Sequence, residues 1–365
     1  MRQNDVIARW GGDEFVVMMR GALTVQATEH TAEKILHVMR EPVALGGREL
    51  KIPTSIGIAL AYDSHISAET LIQHADIAMY FAKKAGRDTY KVFVDEMANT
   101  ASHQFHSEQA LRQSLNTNDA FHVVYQPKVN SEQTIIGLEA LARWQHPDGH
   151  WIPPTEFIPL AEEANLIIEI EEHIIELVCR QLCEWDALGI ATPPVAINLS
   201  GKHLHSPHLL PFVKKILQQY SLPGELLEFE VTEGVFLTEM ELCIEVLTEL
   251  QKLGICIAID DFGTGYSSLS YLKRLPVNVL KIDRSFVDEC ATSEEDAKIC
   301  ATIISLAQNL ELKTVAEGVE NAAQFDFLSE QGCDEFQGYY FFKPLSSTDI
   351  QSYLPTLPKA SEGRD

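Results

Sequence analysis

The chain has no C-x-x-C pair and no unbroken apolar run near the ~18 residues that a membrane-spanning helix requires. It is also short of basic groups, with 28 Lys and Arg against 53 Asp and Glu, a net charge of -25. These shortages argue against a zinc site built on paired thiols, against a spanning helix and against a nucleic-acid polymer gripped by a broad basic surface. The opening MRQNDVIARW lacks the apolar core of a signal peptide, so the sequence reads as cytoplasmic. Seven cysteines (179, 183, 243, 256, 290, 300 and 333) are odd in number and read as reduced core thiols. The three histidines between Lys202 and His208 have no ligand motif beside them and read as a solvated loop.

What is present describes about two folded domains: 365 residues, 45% hydrophobic and 22% charged. Residues 1–97 carry 11 basic and 13 acidic groups, which leaves 17 basic and 40 acidic groups for residues 98–365. A carboxylate-rich part of this kind can handle a phosphorylated ligand only through bound cations or a locally basic pocket.

In the first part, two apolar runs flank Gly11-Gly12 over residues 6–19, the composition of a tight hairpin. Helical spacing follows at Thr31 to Arg40 and at Ala68 to Lys84, with a strand candidate at residues 52–60, which together suggest an α+β unit. The hairpin begins so early that a strand preceding it in the sheet is expected to lie outside this chain, leaving an open apolar edge. Residues 95–118 are polar and helix-forming, and the domain boundary is placed near residue 105. The expected organisation is a partial first domain over 1–97, a linker helix over 98–107, a second domain over 108–358 and a tail over 359–365.

The second part begins with FHVVYQPKV at residues 121–129 and then alternates strands with amphipathic helices. Its strands are GLEALARW, VAINLS, LEFEVTE, CIAIDDFG, VLKIDRSF, KTVAEGVE and CDEFQGYYF. This alternation predicts a mostly parallel sheet, closed as a (β/α)8 barrel, with an open doubly wound sheet as the alternative. A polar residue interrupts or ends each of these strands: Glu139, Asn198, Glu230, Asp260 with Asp261, Lys281, Glu317 and Gln337. A barrel gathers its strand ends on one face, so these residues are expected in one cup. Its carboxylates cannot all ionise side by side without cations, and an oxygen-only ligand set selects hard ions. Asp260 and Asp261 can share a site only where their strand ends and turns, an arrangement suited to two ions and displacement at phosphorus. Lys281 is then expected to orient or deprotonate the attacking water, or to balance charge.

With these motifs in place, the second part resembles the EAL domain, a bacterial phosphodiesterase that linearises cyclic di-GMP to pGpG. The motifs stand as EALARW at 139–144, NLS at 198–200, EVTE at 230–233, DDFGTGYSSL at 260–269, KIDRSF at 281–286, AEGVE at 316–320 and QGYYF at 337–341. The resemblance implies Glu139, Asn198, Glu230, Asp260, Asp261 and Glu317 as ligands of two Mg²⁺ or Mn²⁺ ions, with Ca²⁺ inhibitory. It also implies Lys281, Glu317 and Gln337 as the catalytic set, Gln126, Leu141 and Arg143 as substrate contacts, and Glu233 as the anchor of the loop after Asp261. A homodimer through the EAL domain is expected, and the alternative function is a cyclic di-GMP receptor that does not hydrolyse its ligand.

Residues 1–97 resemble the C-terminal piece of a GGDEF domain, with Gly11, Gly12, Asp13 and Glu14 in the signature turn and ADIAMYFAKKAGRDTY at 75–90. Arg2 and Asp5 match the family's inhibitory product site. The resemblance implies that the family's early metal-binding and guanine-binding region is missing, so this part is expected to regulate rather than to act as a cyclase. The chain is therefore expected either to be a fragment of a longer sensor protein, with any membrane anchor in the missing region, or to have its start assigned too late.

Overall fold

The strand and helix alternation that begins at residue 121 closes on itself in a computed structural model of the chain, described here for residues 5–21, 24–46, 48–62, 66–117, 119–237, 239–264 and 272–355. The chain divides into two compact units, Met1–Ser107 and Glu108–Asp365. The helix Asp95–Ser114 runs through that division.

In the first unit, β1 (Val6–Gly11) and β2 (Glu14–Met18) form an antiparallel hairpin. The turn between them uses Gly12 at φ 48°, a left-handed value that glycine adopts without strain. Among the described residues these two strands pair only with each other, and Val6, Ile7, Trp10, Phe15, Val17 and Met18 are exposed. A second hairpin, β3 (Val43–Leu45) with β4 (Arg48–Leu50), was not expected from the sequence. The strand candidate at 52–60 shrinks to β5 (Ile56–Ile58), which pairs in parallel with β6 (Tyr90–Val92). The first helix is longer than its spacing suggested, Val25–Met39, because Thr24 caps it by accepting the Ala27 N–H.

In the second unit, β7 (Phe121–Val129), β8 (Ile135–Gln145), β10 (Val195–Asn198), β11 (Leu227–Thr232), β12 (Cys256–Phe262), β13 (Val279–Ile282), β14 (Lys313–Ala316) and β15 (Glu335–Phe336) form a closed ring. Pairing of β8 with β10 seals it, which excludes the open doubly wound sheet. A short strand, β9 (Trp151–Ile152), extends β8 outside the ring. The expected parallel order fails at one place: β7 is antiparallel to both β8 and β15. Only residues 130–134 separate β7 from β8, too few for the dozen or more of a parallel crossover, and Asn130 Oδ1 closes the turn by accepting the N–H groups of Glu132 and Thr134.

Helices between the strands cover the outside of the ring. On the helix Ile167–Ala187, the stripe Ile170, Ile174, Val178, Leu182 and Trp185 is buried toward the strands, with the Trp185 ring 5.0 Å from that of Tyr125. Each such side chain contributes about 1.5–3 kcal/mol when fully buried. The interior of the ring is different: its apolar side chains are small, among them Ala196, Ala258, Val279 and Val315, and charged and amide side chains share its depth. At the end of β15, Gly338 lets the chain press against Val319, whose N–H donates to Gln337 O at 3.0 Å. A Cβ at position 338 would lie 2.0 Å from Val319 O and 2.3 Å from Val319 N. Gly338→Ala is therefore expected to lower unfolding stability by about 1–3 kcal/mol, read from the urea midpoint at constant slope.

Candidate active site

Period-2 alternation decides which side chains enter the ring. In β8, residues 137 and 139 face inward, and the cross-strand partner of Glu139 is Gln126 of β7. Glu230 of β11 pairs with Asn198 of β10, and Thr232 with Asp260 of β12. Glu317 follows the last residue of β14, where its N–H donates to Ile282 O, and Gln337 follows the last residue of β15. All the strand-end residues named from the sequence therefore stand at one mouth of the ring.

Their side chains meet. Lys281 is fully buried, and its Nζ lies 2.6 Å from Glu230 Oε2, 3.0 Å from Asp260 Oδ1 and 2.5 Å from Glu317 Oε1. Glu139 is held from two sides: Asn198 Nδ2 donates to its Oε1 at 2.9 Å, and Gln337 Nε2 donates to its Oε2 and to Gln126 Oε1. Gln126 Nε2 donates in turn to Phe342 O at 3.0 Å. Carboxylate oxygens of Asp260, Asp261 and Glu317 all lie within 4.8 Å of one another.

The neighbouring aspartates share the site through a backbone device. Asp261 has φ 53°, and the register of β12 against β13 shifts between Ile259 and Phe262. This bulge turns Asp261 back toward the side that Asp260 already faces. Gly263 follows at φ 100°, and its N–H donates to Glu233 Oε2 at 3.1 Å. The remainder of the glycine loop, from Gly265 through Ser270, lies outside the described residues, as do Arg2 and the tail. Leu141 and Arg143 continue along β8 beyond Glu139, both partly buried. Asp13 and Glu14 sit exposed at the β1–β2 turn, and Asp5 immediately precedes β1.

The electrostatics of the cup are short of positive charge. Burial opposes the charge on Lys281, yet Glu230, Glu317, Glu139 and Asp260 outweigh it and hold the ammonium well above its usual range. Burial also opposes ionisation of Glu139, but Lys281 and the Gln337 amide keep its carboxyl below the usual range. Glu230, Asp261 and Glu317 are not so served. Burial pushes Glu230 well up despite Lys281. Burial, with Asp260 and Asp283 close by, lifts Asp261 to about 6, and burial lifts Glu317 to about 7 against the pull of Lys281. Glu230 Oε1 is buried without a hydrogen-bond partner, and so is Gln337 Oε1. One lysine for five carboxylates, and a carboxylate oxygen that accepts no hydrogen bond, make a donor set that fits hard divalent cations.

Several residues of this site escaped sequence reasoning. Beneath the cup, Lys128 is buried with its Nζ 2.6 Å from Glu228 Oε1 and 3.5 Å from Glu230 Oε1. Gly137 leaves room for its stem, since a Cβ there would stand 3.0 Å from Lys128 Cε. The signal was available: Lys128 lies two residues from Gln126, and Glu228 two residues from Glu230, so each shares an inward face with a residue already singled out. Asp283, beside Asp261, carried no such signal. The histidine run is a correction, because His203 is fully buried rather than solvated. Its Nδ1 lies 2.9 Å from Glu171 Oε2, and Glu171 Oε1 accepts the Ser200 N–H at 2.8 Å, so the pair fixes the turn after Asn198. The partner stands 32 residues away, which no short-range pattern reveals.

Residues 108–344 match the family model of the EAL domain, and residues 1–89 that of the diguanylate cyclase GGDEF domain. The chain belongs to the EAL domain family. It is 40% identical over 357 residues to the signaling protein YkoW of Bacillus subtilis, covering 97% of this chain and 44% of that protein. It is also 40% identical over 351 residues to MucR of Pseudomonas aeruginosa, a bifunctional diguanylate cyclase and cyclic di-GMP phosphodiesterase, covering 96% of this chain and 51% of MucR. The chain thus spans about half the length of the curated relatives it matches. A solved complex of the PaMucR phosphodiesterase with c-di-GMP superposes on 68% of this chain and 99% of its own, with a TM-score of 0.63 and 40% identity. Among the described residues, no helix is long and apolar enough to cross a membrane.

Two outcomes follow from the charge balance. Lys128→Ala strands the Glu228 charge in the ring and is expected to cost about 3–5 kcal/mol of stability, whereas Lys128→Met with Glu228→Gln regains most of it in the same urea titration. Protons compete with cations for carboxyls whose protonation is favoured, so affinity is lost as pH falls through about 7 for Glu317 and about 6 for Asp261. Mn²⁺ affinity measured calorimetrically should therefore rise from pH 5.5 to 8, with proton release on binding near pH 6.5.

Proposed function

We propose that the barrel hydrolyses cyclic di-GMP to linear pGpG, using two Mg²⁺ or Mn²⁺ ions. The observation that carries this reading is the convergence of Glu139, Asn198, Glu230, Asp260, Asp261 and Glu317 around a buried lysine, with Glu230 Oε1 accepting no hydrogen bond. Membership in the EAL family, and the phosphodiesterase activity named for MucR, support the substrate.

These six residues are assigned as ion ligands. When bound, the ions supply Lewis-acid activation of water and neutralise the charge that builds on the phosphate oxygens. Lys281, fixed by three carboxylates, is the ammonium that orients the water and balances the cup. Gln337 and Gln126 form the amide pair that holds the outer side of Glu139 and lines the approach to phosphorus. Arg143, two positions beyond Leu141 on the same strand, is assigned to a phosphate of the cyclic dinucleotide, where its planar fork suits two oxygens, and Leu141 to its groove. Glu233, through Gly263, holds the turn that presents Asp261. Ca²⁺ is expected to inhibit, because its larger and looser coordination shell suits an in-line geometry poorly.

We read residues 1–97 as a regulatory GGDEF portion, 98–107 as a linker and 108–358 as the phosphodiesterase, acting in the cytoplasm as a homodimer through the EAL domain. Incubation of the chain with cyclic di-GMP should yield pGpG in Mg²⁺ or Mn²⁺ and none in EDTA, resolved by chromatography. Glu139→Ala and Lys281→Ala should each lower turnover by about 10²-fold or more. Tight binding of cyclic di-GMP without pGpG in either metal would overturn the hydrolytic reading in favour of a receptor.

A further inference from the structure

Beyond Arg143, β8 leaves the ring and turns into β9 through residues 146–150. The turn is closed from within: the His146 N–H donates to His150 O at 2.8 Å, the Gly149 N–H donates to His146 O at 2.8 Å, and Gln145 Nε2 donates to Gly149 O at 2.9 Å. Gly149 supplies the left-handed backbone at φ 97°. Three side chains are thereby aimed at one point. His146 Nδ1 lies 2.8 Å from Asp148 Oδ1, and His150 Nδ1 contacts that same oxygen. One ligand atom from each of the three residues falls within 4.8 Å of the others. The imidazoles stack at 4.7 Å between centroids and 26°, and the Trp144 ring meets His146 edge-on at 5.7 Å.

This cluster has no part in the strand-end chemistry, and its donors differ in kind. The cup offers carboxylate and amide oxygens, whereas the turn offers two imidazole nitrogens and one carboxylate oxygen. Nitrogen donors favour borderline cations of the zinc, copper and nickel class over Mg²⁺ and Mn²⁺. Asp148 Oδ1 is crowded by both Nδ1 atoms and by the His150 N–H at 3.5 Å, while the Asp148 N–H donates to His146 Nδ1 at 3.4 Å and the imidazole faces stack. A cation shared by the two nitrogens and the carboxylate removes that crowding. Asp148 and His150 are more than half exposed in their side chains, so an ion has a direct path in.

We propose that the β8–β9 turn is a second metal site, taking one Zn²⁺-class ion on His146 Nδ1, His150 Nδ1 and Asp148 Oδ1, with solvent completing the shell. The ion fastens the outer end of the strand that carries Arg143, and the proposal is independent of what the cup hydrolyses.

The test uses the full chain, stripped with chelator and held in excess Mg²⁺, and titrates it with Zn²⁺ alone by calorimetry. His150→Ala and Asp148→Asn serve as comparisons, with imidazole ¹⁵N shifts followed in parallel. The wild-type chain should bind one Zn²⁺ with a Kd on the order of 10 μM or tighter that either variant loses by at least about 10-fold, with His146 and His150 Nδ1 shifting on binding. Zn²⁺ that the variants keep belongs to the cup and cancels in the comparison. Equal Zn²⁺ stoichiometry and affinity in wild type and variants, or unmoved Nδ1 resonances, would overturn the site.

Discussion

Everything at the mouth of the barrel depends on one constraint: five carboxylates must be held within reach of each other in a ring that excludes most water. Lys281 meets part of that demand, touching Glu230, Asp260 and Glu317 at once. It cannot meet all of it, and the residue of the imbalance is visible in the lifted carboxyls of Asp261 and Glu317 and in Glu230 Oε1, which accepts no hydrogen bond. A folded core would normally dispose of such a group by pairing or protonating it. Here the geometry preserves the deficit, which is what a site for cations requires.

The deficit is kept in place by a second ionic layer one pleat below. Lys128 and Glu228 neutralise each other inside the ring, and Lys128 also faces Glu230 from beneath. A buried pair of this kind adds little net stability compared with apolar residues of the same size. Its effect is positional, since Glu230 stands between two ammonium groups, Lys281 at the mouth and Lys128 underneath, which confines its carboxylate to the axis of the ring. Small apolar side chains, among them Ala258, Val279 and Val315, pack inside the same ring.

How far the sequence discloses this architecture depends on the range of the interaction concerned. The strand ends were legible because one polar residue in an apolar run marks an inward position whatever the strand pairs with, and Glu139, Glu230, Asp260 and Lys281 all followed that pattern. Lys128 and Glu228 obey the same period of two and were legible in principle. The antiparallel setting of β7 could be deduced from the five residues between it and β8, since no parallel crossover fits that length. The buried pair of His203 and Glu171, and Asp283 beside Asp261, could not, because their meaning arises from contacts across the fold. In the first unit, the strand expected over nine residues shrank to three at Ile56–Ile58, and the hairpin at Val43–Leu50 had too few residues on each side to show alternation.

The bulge at Asp261 joins these levels. Two adjacent carboxylates in a regular strand would face opposite sides, one into the ring and one into the helical layer, where an unpaired charge is costly. The left-handed backbone at Asp261 avoids that outcome only if something holds the chain in a conformation that non-glycine residues seldom adopt. Glu233 supplies one restraint, by accepting the N–H of Gly263, and the hydrogen bond from the Asp261 N–H to Asp260 Oδ1 supplies another. Backbone strain at this position is therefore the condition for a paired aspartate site. It ties the position of the Asp261 carboxylate to the turn at Gly263 that Glu233 holds, so a change at that hydrogen bond would reach Asp261 before any other residue of the cup.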